Sequence, residues 1–477
     1  MSRQIHAMAQ PIISVIIPTR NRPDTLKVCL AALRYHRSPS IEFLVQDNCS
    51  GPETASVIAQ AQGLDRRVRV SSAPHPVSQR QNFELGLAAA AGEYLTIIGD
   101  DDGFCLGALD WLTAQLAIHP ADAVRWTLVH YVWPSLSADG EGFLRLYPTK
   151  CYGGWHMGSG QPIAAKTLIA ANDGSWENIL VYHGMISRRL YDRMRSRTGG
   201  TFFAYPLPDV YAHNLISLNC ERVLYVDNPM SIYGTSGHSA GSSWGRVTDP
   251  ASRNARAGQL WMQESLADPV AAQVFWQPNI RTLRYHDYCV LKLAEANGQL
   301  GGVVLNQETW IAAIIAEISK SPWTLRPWLS AQSRAPFDPA VFGAVRQHFS
   351  GLVAHVPPAP DGRYAPVHTD SVLRVRQAGR GWADTVEGAM LALDHALSDG
   401  QALYDAKPPA HTWRTSTMRK VHTAVNRVHT AMPVLGHNVM HKPGTPEWLK
   451  RALRRLKWPE SPRSLALKAR LQALRAT

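Results

Sequence analysis

The segment Ile12–Asp47, "IISVIIPTRNRPDTLKVCLAALRYHRSPSIEFLVQD", sets two apolar runs around a helical pattern. Ile12–Pro18 and Ile41–Asp47 are short and rich in branched residues, the composition of strands buried on both faces. Between them Leu26, Cys29, Leu30 and Leu33 fall at helical spacing, and Pro23 suits a helix's first turn. Two strands joined through a helix run parallel, so the segment predicts a βαβ unit. The rhythm then continues. "PETASVIAQAQ" reads as a helix, "RVRVSS" as a third strand, "SQRQNFELGLAAAAG" as a helix ended by Gly92, and "EYLTII" as a fourth strand. The expected fold class is α/β, a mostly parallel sheet flanked by helices.

In such sheets ligands bind beyond the carboxyl ends of the strands. Three polar clusters fall there: Thr19–Arg22 after the first strand, Asp47–Ser50 after the second, and Asp100, Asp101 and Asp102 after the fourth. Each alone reads as turn chemistry, since Asp, Asn and Ser populate turns for local reasons. Their convergence on one edge points to a site. Three adjacent carboxylates repel one another, which suggests a cation or groups that a cation bridges. No G-x-G-x-x-G follows the first strand and no G-x-x-x-x-G-K-[ST] occurs, which disfavours a dinucleotide fold and a P-loop.

The chain of 477 residues has room for two or three domains, and 18% charged residues against 45% hydrophobic ones is globular composition. Its six cysteines form no C-x-x-C pair, so neither a zinc site nor a disulfide framework is expected, and a reducing, cytoplasmic compartment fits. Neither a secretory signal nor a membrane-spanning helix is expected. Pro446–Thr477 holds nine basic and two acidic residues, and so carries more than half of the formal net charge of +12. Charge confined to a tail argues against nucleic acid as a partner. In "PEWLKRALRRLKW", Trp448, Leu449, Ala452, Leu453 and Leu456 share one helical face and the basic residues take the other. Such a helix either lies on an anionic membrane surface or packs on the protein's own body.

"SVIIPTRNRPDTLKVCLAAL", "FLVQDNCSGPET", "SQRQNFELGLAAAAGEYLTIIGDDD", "HGMISR" and "PDVY" together resemble the family-2 glycosyltransferases, inverting enzymes of the GT-A fold that use nucleotide sugars. The resemblance spans Pro11 to Gly245 and is strongest in the first 110 residues. It implies that Pro18, Thr19, Arg20 and Arg22 bind the nucleotide sugar, with Thr19 and Arg22 flanking the base, that Asp47 takes the base's ring NH, and that Arg80 lies near the base or phosphates. It also implies that the Asp100–Asp102 run holds ribose and a divalent metal, Mn²⁺ or Mg²⁺. Two departures from the family pattern stand out. Gly99 precedes D-D-D where D-x-D-D is common, so all three aspartates remain candidates for the metal. Gln46 also leaves Asp47 as the single acid after the second strand.

A departing nucleoside diphosphate gathers negative charge that a hard cation on carboxylates neutralises. Inversion needs a base for the acceptor hydroxyl. Asp209, after Pro208 at a helix start, is the first candidate, with a first-turn aspartate as the bland alternative, and Glu177 in "GSWENIL" is the second. His183 in "YHGMIS" stands where the resemblance puts the acceptor pocket, or is a buried hydrogen-bonded imidazole. His238, in the loop "YGTSGHSAGSSWG", could meet the diphosphate or complete the metal shell, or belong to a linker. Trp133–Ala171 is expected to form hairpins and loops, with Tyr152, Trp155 and Trp176 as stacking candidates for an acceptor sugar.

After Asp249 the pattern turns helical, with Pro-rich joints at "SPWTLRPW" and "HVPPAPDGRYAP". The expected division is a GT-A domain at 1–249, a helical region at 250–440 and a basic tail at 441–477. The expected activity is transfer from a nucleotide-sugar donor, with uridine diphosphate as carrier, to a saccharide, lipid-linked or other hydroxyl acceptor. A lipid-linked acceptor suits a cytoplasmic enzyme whose tail meets the inner face of the membrane. An inactive binding or assembly module is the rival from another class. Nucleotidyl transfer would want a glycine-rich loop where "PTRNRPD" stands.

Overall fold

The computed structural model describes residues 10–138, 140–145, 154–171, 178–237, 253–351, 356, 372–373 and 385–397. The expected alternation is present: β1 (Ile13–Thr19), α1 (Pro23–Leu33), β2 (Ile41–Asp47), α2 (Pro52–Leu64), β3 (Val68–Ser72), α3 (Gln79–Ala89) and β4 (Tyr94–Ile97). β1 pairs in parallel with β2 and β4, and β2 with β3. Pro23 opens α1, and Ser78 caps α3 in a reciprocal capping box with Gln81. α3 stops at Ala89 rather than running to Gly92. Gly92 is instead pressed on β1, where a Cβ would lie 2.5 Å from the Ser14 nitrogen.

Beyond β4 the sheet becomes mixed. β5 (Gly103–Phe104), α4 (Ala108–Ile118), β6 (Ala123–Val132), β7 (Phe143–Arg145), β8 (Trp155–Gly158), α5 (Gln161–Leu168), β9 (Met185–Ser187), α6 (Arg188–Ser196), α7 (Pro208–Asn219) and β10 (Val223–Thr235) follow. β6 and β10 form the long parallel pair, broken by a bulge near Pro229. The antiparallel pairings are only two to four residues long. β9 inserts between β4 and β6, so the sheet is mixed rather than wholly parallel. The Trp133–Ala171 region, expected as hairpins and loops, also contains α5. Gly160 at its start lets it close on α7: a Cβ there would lie 2.5 Å from the Ser217 carbonyl.

Alternation along β1 and β2 sorts the core into two layers. Ile13, Val15, Ile17, Phe43 and Val45 pack on one side with α1, α2 and α4; Ile16 and Leu44 face the other with α3, α6 and α7. The second layer extends without a break into α9 (Leu283–Ala296), α10 (Gln307–Lys320), α11 (Arg326–Ser330) and α12 (Asp338–His348), which bury Tyr285, Trp310, Trp328 and Phe342. These follow α8 (Arg253–Ala267). The joint "SPWTLRPW" is itself helical, a 3-10 turn at Pro322–Leu325 running into α11. A last helix, α13 (Val386–Leu397), returns to the first layer through Val386, Ala389, Met390 and Leu393. Among the described residues no helix is long and apolar enough to cross a membrane.

Candidate functional site

The loops after β1 and β2 are fastened to each other. The Thr19 carbonyl accepts from the Asn48 amide at 3.0 Å, and Asn21 accepts from the Gly51 amide at 2.8 Å while its own amide donates to Ser50 Oγ at 2.8 Å. Asn21 and Cys49 both take left-handed backbone, a local cost that the cross-links offset. Asp47 accepts from the Ser50 amide at 3.2 Å, an Asx turn that leaves it half-buried at the loop edge.

The acid turn after β4 meets the first of these loops. Asp100 accepts from Thr19 Oγ1 at 2.7 Å and from Arg22 Nη1 at 3.0 Å. Asp101 accepts from Ser236 Oγ at 2.6 Å, and its carbonyl from Trp133 Nε1 at 2.9 Å. Asp102 has the fullest shell. Its Oδ2 accepts from the Gly99 amide at 2.5 Å and Tyr182 OH at 2.8 Å and lies 2.9 Å from His183 Nε2; its Oδ1 accepts from the Gly234 amide at 2.6 Å. All three aspartates are buried. Space is correspondingly tight: a Cβ on Gly99 would stand 2.9 Å from a carboxylate oxygen of both Asp101 and Asp102, and one on Gly234 would stand 1.8 Å from the Asp101 carbonyl. A fourth acid at position 99 would therefore collide with the others.

Residues 14–133 match the model described as Glycosyl transferase family 2. This part of the chain is similar to that family. Among curated relatives, GalNAc(5)-diNAcBac-PP-undecaprenol beta-1,3-glucosyltransferase of Campylobacter jejuni is 32% identical over 103 residues, 21% of this chain and 33% of the relative. The match thus spans about a third of that enzyme. Glycosyltransferase GlyG of Streptococcus pneumoniae is 27% identical over 230 residues, 46% of this chain and 70% of the relative. Among solved structures, S. aureus TarS 1–349 in complex with UDP-GlcNAc aligns at 16% identity and a TM-score of 0.38, covering 71% of this chain and 92% of that one.

The family-2 pattern implies a divalent cation, and the acid turn fits one by charge and donor type. Burial pushes the Asp101 carboxyl up to about 6, with Asp102 and Asp100 adding to the effect against the pull of Arg22. A hard cation on these oxygens would relieve that excess of negative charge. Both oxygens of Asp100 and of Asp102 already meet protein donors, four of them on Asp102, so an ion held by Asp100 and Asp101 would share Asp100 with Thr19 and Arg22. No group of three His, Cys, Asp or Glu residues gathers as a ready metal cluster among the described residues. His238 and Glu177 lie outside the described residues, as do Tyr152 and Trp176.

The remaining family-2 expectations fall in several places. Pro18 is half-buried in β1. His183 is a buried, hydrogen-bonded imidazole inside the acid shell, the second of its two readings. Trp155 lies in β8 against the His119 ring, at 4.9 Å between centroids. Arg20 and Arg80 are each engaged by the chain beyond the family match. Arg20 pairs with Glu264 on α8, and the buried Arg80 donates through Nε to Asp268 Oδ2 at 2.7 Å and through Nη1 to the Phe203 carbonyl at 3.3 Å.

Glu84 on α3 accepts from the Phe202 and Phe203 amides at 2.7 and 3.0 Å. Together with Arg80 it fastens to α3 the segment that leads into α7. Asp209 stands at the second position of α7, whose N-cap residue Leu207 supplies no side-chain cap. It is exposed, although the protein packed around it pushes its carboxyl above the ordinary value, opposed by nearby amides and His213. Tyr182, Ser236, Gly234, Trp133, Glu264 and Asp268 were not legible as site residues. Their signal was only a polar pair in "YHG" and small residues in "YGTSG", with partners far along the chain.

Proposed function

We propose that this protein is a glycosyltransferase that moves a sugar from a nucleotide-diphosphate donor, with uridine diphosphate as carrier, to a saccharide or lipid-linked hydroxyl, with inversion. The observation that carries the reading is the loop after β1, which is fastened to the loop after β2 and also bound to the buried acid turn, Thr19 and Arg22 both meeting Asp100. The half-buried Asp47 is the acceptor for a base NH. The Arg22 guanidinium, beside Asp100, lies at the edge where ribose and phosphate would sit. A bound Mn²⁺ or Mg²⁺, held by Asp100 and Asp101, would neutralise charge on the departing diphosphate. Asp209 is open to solvent, as a group that meets an acceptor must be, and its raised affinity for protons suits a general base.

The alternative of a binding module draws support from Arg20 and Arg80, whose charges are met by Glu264 and Asp268. A panel of nucleotide sugars, assayed for hydrolysis and for protection against melting with and without Mn²⁺, separates the two. Turnover with one donor supports the enzyme, protection without turnover supports the module, and neither effect with any donor removes both.

A further inference from the structure

Asp102 is supported by a buried chain of donors that begins well away from the acid turn. Val181–His183 runs beside the end of β4: the Ile97 amide donates to the Val181 carbonyl at 2.8 Å, and the His183 amide to the Ile97 carbonyl at 3.1 Å. His183 is left-handed, with φ of 54°, and a Cβ on the following Gly184 would lie 2.3 Å from the Leu180 carbonyl. The turn is wound tightly, and it delivers two adjacent side chains to one oxygen. Tyr182 OH and His183 Nε2 both reach Asp102 Oδ2.

The tautomer follows from the next links. Ser231 Oγ accepts from Trp126 Nε1 at 2.8 Å and lies 2.8 Å from His183 Nδ1. Asp102 Oδ2 can only accept, so Nε2 carries the proton that faces it, and in the neutral ring Nδ1 accepts from the Ser231 hydroxyl. The order is Trp126 to Ser231 to His183 to Asp102. Asp102 in turn accepts the amides of Gly99, at the start of the turn, and Gly234, on β10.

We propose that Tyr182 and His183 are positioning residues: they fix Asp102 as the anchor of the acid turn, and so aim Asp100 and Asp101 at the donor. This deepens the glycosyltransferase reading and rests on it for the identity of the ligand, though not for the anchoring itself. Neither residue touches substrate. Their effect passes through Asp102 to the two amides it holds.

The test uses Tyr182→Phe, which keeps the ring and removes one donor, and His183→Asn. Asparagine tolerates left-handed backbone and can still meet Ser231, but it is too short to reach Asp102. Amide hydrogen exchange is read at Gly99 and Gly234, well below the melting temperature. The expected result is roughly tenfold faster exchange at both amides with unchanged rates at Ile97 and Ile98, and about tenfold weaker binding of UDP in the presence of Mn²⁺. His183→Gln, whose amide can reach Asp102, is expected to restore both. Exchange that rises equally along β4, or does not change at Gly99 and Gly234, overturns the proposal. If the wild-type chain does not bind UDP with Mn²⁺, the donor reading falls. The exchange rates alone then decide: selective acceleration supports the anchor, and uniform or absent acceleration removes it.

Discussion

Two titratable residues, Asp209 and His36, carry opposite shifts in proton affinity. Asp209 is exposed, with a carboxyl held above its ordinary value. Asp209→Asn keeps shape and removes the proton acceptor, so donor protection against melting is expected to persist while transfer falls by roughly 10²–10⁴-fold. Steady-state transfer beside a thermal shift with donor checks this, and near-normal transfer moves the base to Glu177. His36 is the opposite case. It is fully buried against Phe104, neither ring nitrogen has a hydrogen-bond partner among the described residues, and its proton affinity is lowered to about 4 by burial, with Arg67 adding and Asp110 opposing. Above the ordinary value of 6.5 the ring is neutral folded or unfolded, so it has no effect on stability. As pH falls below 6.5 the unfolded chain takes the proton first, and stability drops until about 4. The full loss is about 3 kcal/mol. Urea unfolding at pH 7 and at pH 4.5 is expected to show a smaller gap for His36→Phe than for the wild type; equal gaps would mean that other groups carry the acid sensitivity.

At the scale of elements, α8 and the turn after it hold the start of α3. Asp268, almost fully buried, accepts from Ser78 Oγ, from Arg80 Nε and from the Val270 amide, and Trp261 Nε1 donates to Gln79 at 2.9 Å. Asp268→Asn leaves the buried Arg80 with only the more distant Glu84 carboxylate, at 3.8 Å, and is expected to cost about 3 kcal/mol. A lower urea midpoint with an unchanged slope would show it, whereas an unchanged midpoint would make the pairing incidental. None of this could be read from the sequence, since Ser78 and Asp268 stand 190 positions apart. The strands were legible because their signal is local: β1 and β2 are short runs of branched apolar residues, and both of their faces are buried. The end of α3 was not, because Gly92 serves a close approach to Ser14 rather than a helix terminus. Of the site, the carboxylates were legible as a cluster, while their division of labour depends on Tyr182, Gly234 and Ser236, whose roles arise only where β10 and the 181–183 segment meet the turn.

For the whole molecule, the change of pattern near Asp249 marks a change of element type, and the core crosses it. α10 and α11 bury Trp310 and Trp328 in the layer that also holds Ile16 and Leu44, and α13 closes the opposite layer over α1 and β5. Val386, Ala389, Met390 and Leu393 are each at most 1% exposed. At about 1.5–3 kcal/mol for each large side chain, their burial contributes on the order of 5–8 kcal/mol before ordering costs. That is comparable to the whole stability of an ordinary domain, about 5–15 kcal/mol. A chain ending at Asp384 is therefore expected to lose its cooperative melting transition, and one ending at Thr445 to keep it. The second truncation also tests the basic tail, which lies outside the described residues. If the tail lies on anionic lipid, its removal frees the protein from phosphatidylserine vesicles without moving the melting temperature. Binding of the full chain should then weaken with salt, as screening shortens below about 8 Å, yet keep a salt-resistant part from Trp448, Leu453 and Leu456. A packed tail gives the reverse, a lower melting temperature and unchanged sedimentation with vesicles.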